Sequence, residues 1–382
     1  MSHFYFSGIQ QVGIGNPDAS LTWCWYNKHF GFNVPVFEEE AEAGLMLPYT
    51  GGEKHQRKAI LALNMNGGGG LEIWQYTQRK LLWPKEPVFP GDLGINVLKI
   101  KTRNVEEAYQ YCQARGLRPL CKVQYRHQQA SHFYLRDLHG NLIEITASPY
   151  WYKTKGDLFG GVEGAVMGVS NMAQSLAYYQ TVLGFSRVIF EEKGELPDLK
   201  AWEKDATPNQ YHRVILEREE PYQGPFSPLL GPAQIELIQS EKRPAKKIYA
   251  NRFWGDPGFI HLCFDITGMA HFEKHIQNLG HHFTVDSANS FDMGEAAGRF
   301  AYLEDPDGTL LEFVETHKVP IHKKLNWYLN LQKRAPHKSL PKLMINALGL
   351  GKVKPEWMGR GKTGDGRRKT EDGRRKTEDG RR

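Results

Sequence analysis

Hydrophobic positions along this chain follow one order several times over. A short apolar run leads through a turn into residues with helical spacing, a Gly ends that segment, and period-two alternation of apolar and polar residues follows. QVGIGNPDASLTWCWYNKHFGF, starting at Gln11, and GAVMGVSNMAQSLAYYQTVLGF, starting at Gly164, share this order at a constant offset of 153 residues. Each predicts a strand, a turn at Asp18 or Asn171, and an amphipathic helix carrying Trp25 and Tyr26 or Tyr178 and Tyr179. The helix stops at Gly31 and Phe32 or at Gly184 and Phe185.

Two further segments repeat the pattern. VLKIKTRNVEEAYQYCQARG, from Val97, matches HLCFDITGMAHFEKHIQNLG, from His261, again as strand, turn, helix and closing Gly. FYLRDLHGNLIEI (133–145) then matches AYLEDPDGTLLEF (301–313), where a His-Gly or Asp-Gly turn joins two alternating strands in a predicted hairpin. LEIWQY from Leu71 and QIELIQ from Gln234 supply closing strands for the other two units. The chain therefore reads as four β-α-β-β-β modules at about 8–78, 93–150, 160–240 and 257–318. Taken in chain order they form two domains, 8–150 and 160–318.

Composition adds the tail and the compartment. The formal net charge of +6 is unevenly spread. Residues 319–358 carry eight Lys/Arg against Glu356 alone, and 359–382 carry ten against five, which leaves residues 1–318 with 31 basic and 37 acidic side chains. The basic character belongs to the C-terminus, so no nucleic acid is expected to bind the folded body. Residues 359–382 repeat seven residues without an apolar side chain and read as a disordered low-complexity repeat. Residues 319–358 form a basic C-terminal extension in which Leu325, Trp327, Tyr328, Leu331, Leu340, Leu343, Met344 and Leu348 punctuate the Lys/Arg. That extension is expected to dock its apolar side on the body, with binding to an acidic lipid surface as the alternative. No apolar stretch approaches the ~18 residues of a membrane span, and the start lacks the basic and apolar regions of a signal peptide. Cys24, Cys112, Cys121 and Cys263 are scattered singly, without a disulfide or zinc-knuckle spacing. A cytoplasmic protein is the expectation.

This arrangement resembles the vicinal oxygen chelate superfamily, which includes glyoxalase I, extradiol dioxygenases, epimerases and bleomycin-resistance proteins. SLAYYQTVLGF and DPDGTLLEF carry the likeness most specifically. The resemblance implies an α+β fold of tandem paired βαβββ modules in two domains, in which paired modules curl into open cups with metal ligands on the first and last strands. Carried over module by module, it designates Gln11 and Glu72, Val97 and Glu144, Gly164 and Glu236, and His261 and Glu312. Val and Gly cannot ligate a metal, so pairing neighbouring modules would leave two incomplete sites. Pairing the first with the fourth and the second with the third, as in members resembling a fused glyoxalase I dimer, collects Gln11, Glu72, His261 and Glu312 in one cup. The other cup is left with Glu144 and Glu236.

Oxygen and nitrogen ligands without thiolate suit a divalent Zn, Ni, Co, Mn or Fe ion. By the same resemblance Glu312 is the catalytic base, with Glu72 as the alternative. Each residue also has a plainer reading. His261 and Gln11 can be ordinary residues at strand starts, whereas Glu72 and Glu312 lie in the apolar runs LEIWQ and LLEFV, where a buried carboxylate without a partner is costly. Glu144 and Glu236 look the same locally, and arginine pairing or solvent exposure accounts for them. Gly15 and Tyr76 stand where glyoxalase I carries a cation and an Asn for glutathione, which speaks against the glutathione adduct. Trp74, Tyr76, Trp83, Phe89, Trp202, Phe253, Trp254 and Phe259 lie near ligand strands or in long connections; core packing is their plainer reading, and those in Pro-rich loops such as LLWPKEPVFPGD suggest an aromatic or apolar small-molecule substrate. The expectation is a metal-dependent lyase or isomerase acting on a small vicinal-oxygen compound, in a monomer with an internal pseudo-dimer or in a homodimer. The alternatives are an extradiol-type dioxygenase, whose His/His/Glu triad meets Gly164 at its first His, and a metal-free binding or resistance protein.

Overall fold

The computed structural model describes residues 3–126, 129–202, 209–288, 291–293, 296–322 and 327–355. Module one comprises β1 (Tyr5–Gly15), α1 (Ala19–Phe30), β2 (Val34–Glu42), β3 (Gln56–Leu63) and β4 (Gly70–Tyr76). Module two comprises β5 (Gly94–Thr102), α2 (Val105–Ala114), β6 (Gln124–Arg126), β7 (Gln129–Arg136) and β8 (Leu142–Ala147). Module three runs through β9 (Phe159–Gly168), α3 (Met172–Leu183), β10 (Arg187–Gly194), β11 (Tyr211–Glu217), the single turn α4 (Ser227–Leu230) and β12 (Gln234–Ser240). Module four has β13 (Gly258–Thr267), α5 (Met269–Asn278), the short β14 (Val285–Asp286) and β15 (Phe291–Met293), then β16 (Ala296–Glu304) and β17 (Leu310–Thr316).

The turn residues Asp18 and Asn171 act as read, and Asn104 plays the same part in module two. Asp18, Asn104 and Asn171 each accept a hydrogen bond from a backbone N–H in the first turn of α1, α2 and α3, and Gly31 and Gly184 end α1 and α3 in the left-handed conformation. Gly268 before α5 has no capping side chain. Glu315 reaches over from β17 instead, its Oε1 accepting from the N–H of Gly268 and of Met269.

The strands form two curled, mixed sheets. One has the order β14-β16-β17-β13-β1-β4-β3-β2, with β15 beside β16, and the other β10-β11-β12-β9-β5-β8-β7-β6. Modules one and four thus share a sheet through the antiparallel pair β1 and β13, and modules two and three share the other through β5 and β9. Each sheet crosses the 150–160 boundary of the chain. One face of each sheet contributes to a common core with the helices, including Val12 and Ile14 of β1, Leu98 and Ile100 of β5, and Leu262 and Phe264 of β13. The opposite, concave faces form the cups.

Consecutive modules meet through their helices. Tyr26 of α1 donates its hydroxyl to Asp137 Oδ2 at 3.0 Å, and Tyr179 of α3 donates to Asp305 Oδ2 at 2.8 Å. The same aspartates build the β7–β8 and β16–β17 turns by accepting backbone N–H groups from His139 and Asn141, or from Asp307 and Thr309. One carboxylate therefore fixes a hairpin and docks the preceding module's helix on it.

The extension packs on module one. After the hairpin β18 (Lys318–His322) and β19 (Trp327–Asn330) comes α6 (Lys342–Leu348), and Leu331, Leu340 and Ile345 are buried with Val34, Leu63, Met65 and Leu229. Leu343 is 82% exposed and takes no part. Leu325 and the repeat at 359–382 lie outside the described residues. Among the described residues no helix is long and apolar enough to cross a membrane.

Two outcomes test this packing. Tyr179→Phe should destabilise the chain by about 1–3 kcal/mol, because buried Asp305 loses a donor that water cannot replace. Ile345→Ala should cost about 2–5 kcal/mol in urea denaturation if the extension belongs to the folded unit; an unchanged midpoint would show that it does not.

Candidate metal centre

Alternation along four strands turns four polar side chains onto one concave face. Leu71 and Ile73 of β4 enter the core, so Glu72 faces the cup; Leu262 and Phe264 do the same for His261 and Cys263, and Leu311 and Phe313 for Glu312. Gln11 of β1 lies beside Cys263 across the β1–β13 seam. The strand register repeats with each module: Gln11 pairs with the residue two before Glu72, His261 with that two before Glu312, Val97 with that two before Glu144, and Gly164 with that two before Glu236. The four designated pairs are therefore structural equivalents.

In the first cup these residues converge. One ligand atom from each of Glu72, His261 and Glu312 lies within 4.8 Å of the others, and all three residues are buried. His261 Nε2 is 3.2 Å from Glu72 Oε2 and 3.1 Å from Glu312 Oε2. Gln11 Nε2 donates to Glu312 Oε2 at 3.2 Å. Despite their proximity, His261 Nε2 and Glu72 Oε2 lack hydrogen-bond geometry, and the buried Gln11 Oε1 has no partner either. Buried polar atoms without partners are costly, and this cluster of nitrogen and oxygen donors fits a divalent ion.

The charges express the same need. Burial alone would lower the His261 pKa, but Glu312 and Glu72 outweigh it and hold the imidazole up at about 9. Burial would raise Glu72, yet its contacts with His261 bring it below the ordinary carboxylate range. Without an ion, a proton on His261 offsets only one of the two carboxylates. Tyr302, paired in register with Glu312, places its hydroxyl 3.4 Å from His261 Nδ1 and so turns Nε2 toward the carboxylates. The ring of Trp254 lies nearly parallel to the imidazole, at 15° and 6.3 Å between centroids, and Trp74 meets Trp254 edge-on at 4.2 Å. Met46, Val285 and Tyr302 join them in the apolar wall.

The second cup is closed by protein cations. Lys99 Nζ lies 2.7 Å from Glu236 and 3.7 Å from Glu144; Arg126 binds Glu144 at 2.7 Å; Arg213 Nε is 3.0 Å from Glu236 and its Nη2 2.7 Å from Asp198. Lys99, Glu144 and Glu236 are fully buried, and Leu196, Leu199, Trp202 and Tyr211 cover them. Burial would raise Glu144, Glu236 and Asp198, but Arg126 with Lys99 for the glutamates, and His132 with Arg213 for the aspartate, hold all three below the ordinary range. The arginine pairing read for Glu144 and Glu236 is present. Lys99, Arg126, Arg213 and Asp198 were not singled out in the sequence, although VLKIKT shows lysines on alternate positions of an otherwise apolar strand. Among the expected aromatics, Trp74 and Trp254 wall the first cup and Trp202 fills the second, whereas Trp83 is 49% exposed.

These contrasts set opposite expectations for the two cups. Below about pH 9 a metal entering the first cup displaces the His261 proton. Its apparent affinity should therefore rise with pH up to about 9 and then level, with about one proton released near neutrality by calorimetry in buffers of different ionisation enthalpy. In the second cup the depressed carboxylates contribute stability that is present above their unfolded pKa of about 4 and is lost as pH falls through their lower folded values. Glu144→Gln should cost about 3–5 kcal/mol by leaving Arg126 and Lys99 underpaired, while metal affinity stays unchanged.

No family model matches the chain, and no curated protein matches it by sequence. Solved structures do. A glyoxalase I variant from Zea mays superposes with a TM-score of 0.51 at 12% identity, covering 82% of this chain and 95% of that one. A putative dioxygenase from Bacillus subtilis gives 0.50 at 10% identity, covering 92% and 97%. At such identities the likeness shows the fold alone. The structure accordingly has the paired βαβββ, glyoxalase-like fold.

Proposed function

We propose that the first cup is a divalent-metal site of a glyoxalase-like lyase or isomerase acting on a small vicinal-oxygen substrate. The observation that carries this reading is the convergence of Glu72, His261 and Glu312 within 4.8 Å, with Gln11 bonded to Glu312. Gln11, Glu72, His261 and Glu312 would hold the ion. A Zn, Ni, Co, Mn or Fe ion there supplies Lewis acidity toward two adjacent substrate oxygens and the negative charge that develops on them. Glu312 would take the proton from the hydroxyl-bearing carbon beside the carbonyl and return it to the former carbonyl carbon, while the hydroxyl proton passes to the former carbonyl oxygen, with Glu72 as the alternative base. Gln11 orients Glu312 through its amide, and Tyr302 holds the His261 ring.

Two features support a substrate other than the glutathione adduct. At Gly15 any side chain would run into the Asp256 carbonyl, because a Cβ at this position would lie 2.1 Å from that oxygen, so no cation can stand there. Tyr76 is tied by its hydroxyl to the Trp254 carbonyl. With Trp74, Trp254 and Tyr302 around the ligands, the cup favours an apolar or aromatic compound bearing the two oxygens.

Metal analysis of the purified chain, followed by proton-exchange and turnover assays on aromatic 2-hydroxy ketones and 2-oxo aldehydes, tests this reading. His261→Ala and Glu312→Ala should each abolish tight metal binding and turnover. A chain that binds no divalent ion yet retains a small aromatic ligand would instead be a binding protein, and oxygen consumption with catechols would assign a dioxygenase.

A further inference from the structure

The two cups place a glycine and a large polar residue on opposite sides of the same seam. Beside each module's glutamate the register puts one residue: Gly13 by Glu72, Lys99 by Glu144, Val166 by Glu236 and Cys263 by Glu312. In the second cup Lys99 stands directly opposite Gly164 across β5 and β9, and its ammonium occupies the space between Glu144 and Glu236. In the first cup the residue two beyond Gln11, as Lys99 is two beyond Val97, is Gly13, and the side chain it faces across β1 and β13 is His261.

The space over Gly13 is already used. A Cβ at this position would lie 2.5 Å from His261 Cε1, 2.7 Å from Nδ1 and 2.8 Å from Nε2, where ordinary contact begins at 3.4 Å. The ring has little freedom to retreat, because it is fully buried with Trp254 stacked at 6.3 Å and Tyr302 edge-on at 5.6 Å between centroids. Gly13 does not have a positive φ, so its backbone accepts any residue and only the side-chain volume is at issue.

We propose that Gly13 is the positioning residue that makes the first cup a cation site, because its missing side chain lets the His261 ring lie between Glu72 and Glu312, where the second cup instead sets the Lys99 ammonium between Glu144 and Glu236. This rests on the metal reading of the first cup. The lysine brings its own charge to two buried glutamates; the glycine leaves room for an imidazole, which adds a ligand but leaves the glutamates' charge to be met by an ion. A methyl group on Gly13 would push the ring by roughly 1 Å, several times the ~0.2 Å tolerance of metal–ligand distances.

The test compares wild type with Gly13→Ala by calorimetric titration with Ni²⁺. Wild type should bind one ion per chain, and Gly13→Ala should bind about 10–100-fold more weakly with an unchanged circular dichroism spectrum. Equal affinities would overturn this inference alone, whereas a wild-type chain that takes no ion overturns the metal reading and this inference together. A second measurement, made without metal, reads the steric conflict even if Gly13→Ala folds poorly. Gly13→Lys should lower the melting temperature, and the double variant Gly13→Lys/His261→Gly, which sets a lysine opposite a glycine as Lys99 stands opposite Gly164, should recover most of that loss. No recovery would show that the two positions do not compete for space in this way.

Discussion

The antiparallel seam between β1 and β13 is the interaction on which the candidate site depends. It sets Gln11 beside Cys263 and brings Gln11 within hydrogen-bond distance of Glu312, 301 residues away in the chain. Such a distant pairing is not prohibitively expensive, because loop-closure entropy grows only logarithmically, by about 0.6 kcal/mol for each doubling of length. Apolar matching on the core face and polar matching on the concave face can therefore decide which modules share a sheet. The equivalent seam between β5 and β9 assembles the second cup from the two middle modules.

Both cups then face one electrostatic constraint. Each buries two glutamates at equivalent strand positions, and a buried carboxylate must be compensated or neutralised. The second cup meets this with Lys99, Arg126 and Arg213, whose charges Glu144, Glu236 and Asp198 balance. The first has His261 between Glu72 and Glu312, with a proton held to unusually high pH. The second cup's charges are balanced by the protein itself, whereas the first sets one imidazole against two carboxylates.

The remaining contacts bind neighbours in the chain rather than partners in a sheet. Tyr26 with Asp137 and Tyr179 with Asp305 tie the helix of one module to the hairpin of the next. Modules one and two, and three and four, are thereby joined while their strands belong to different sheets. The shared helical core between the sheets makes the two cups parts of one packed body.

Much of this architecture was legible in the residues. Helix starts at Asp18 and Asn171, stops at Gly31 and Gly184, and the His-Gly and Asp-Gly hairpin turns are local, so short-range chemistry suffices to place them. The recurring strand, turn and helix pattern marks out the modules, and the resemblance then designates Gln11, Glu72, His261 and Glu312 together. The sequence could not show what surrounds them. Lys99 and Arg213 lie on strands and Arg126 at the end of a short one, and nothing local indicates that all three turn toward the same glutamates. Nor does it show that Gly13 lies under His261, Tyr302 beside its ring and Trp254 across it. Secondary structure follows from interactions a few residues apart, and those the sequence determines by itself. Which charges neutralise one another depends on strands distant in the chain meeting in a particular register, and that only the tertiary structure decides.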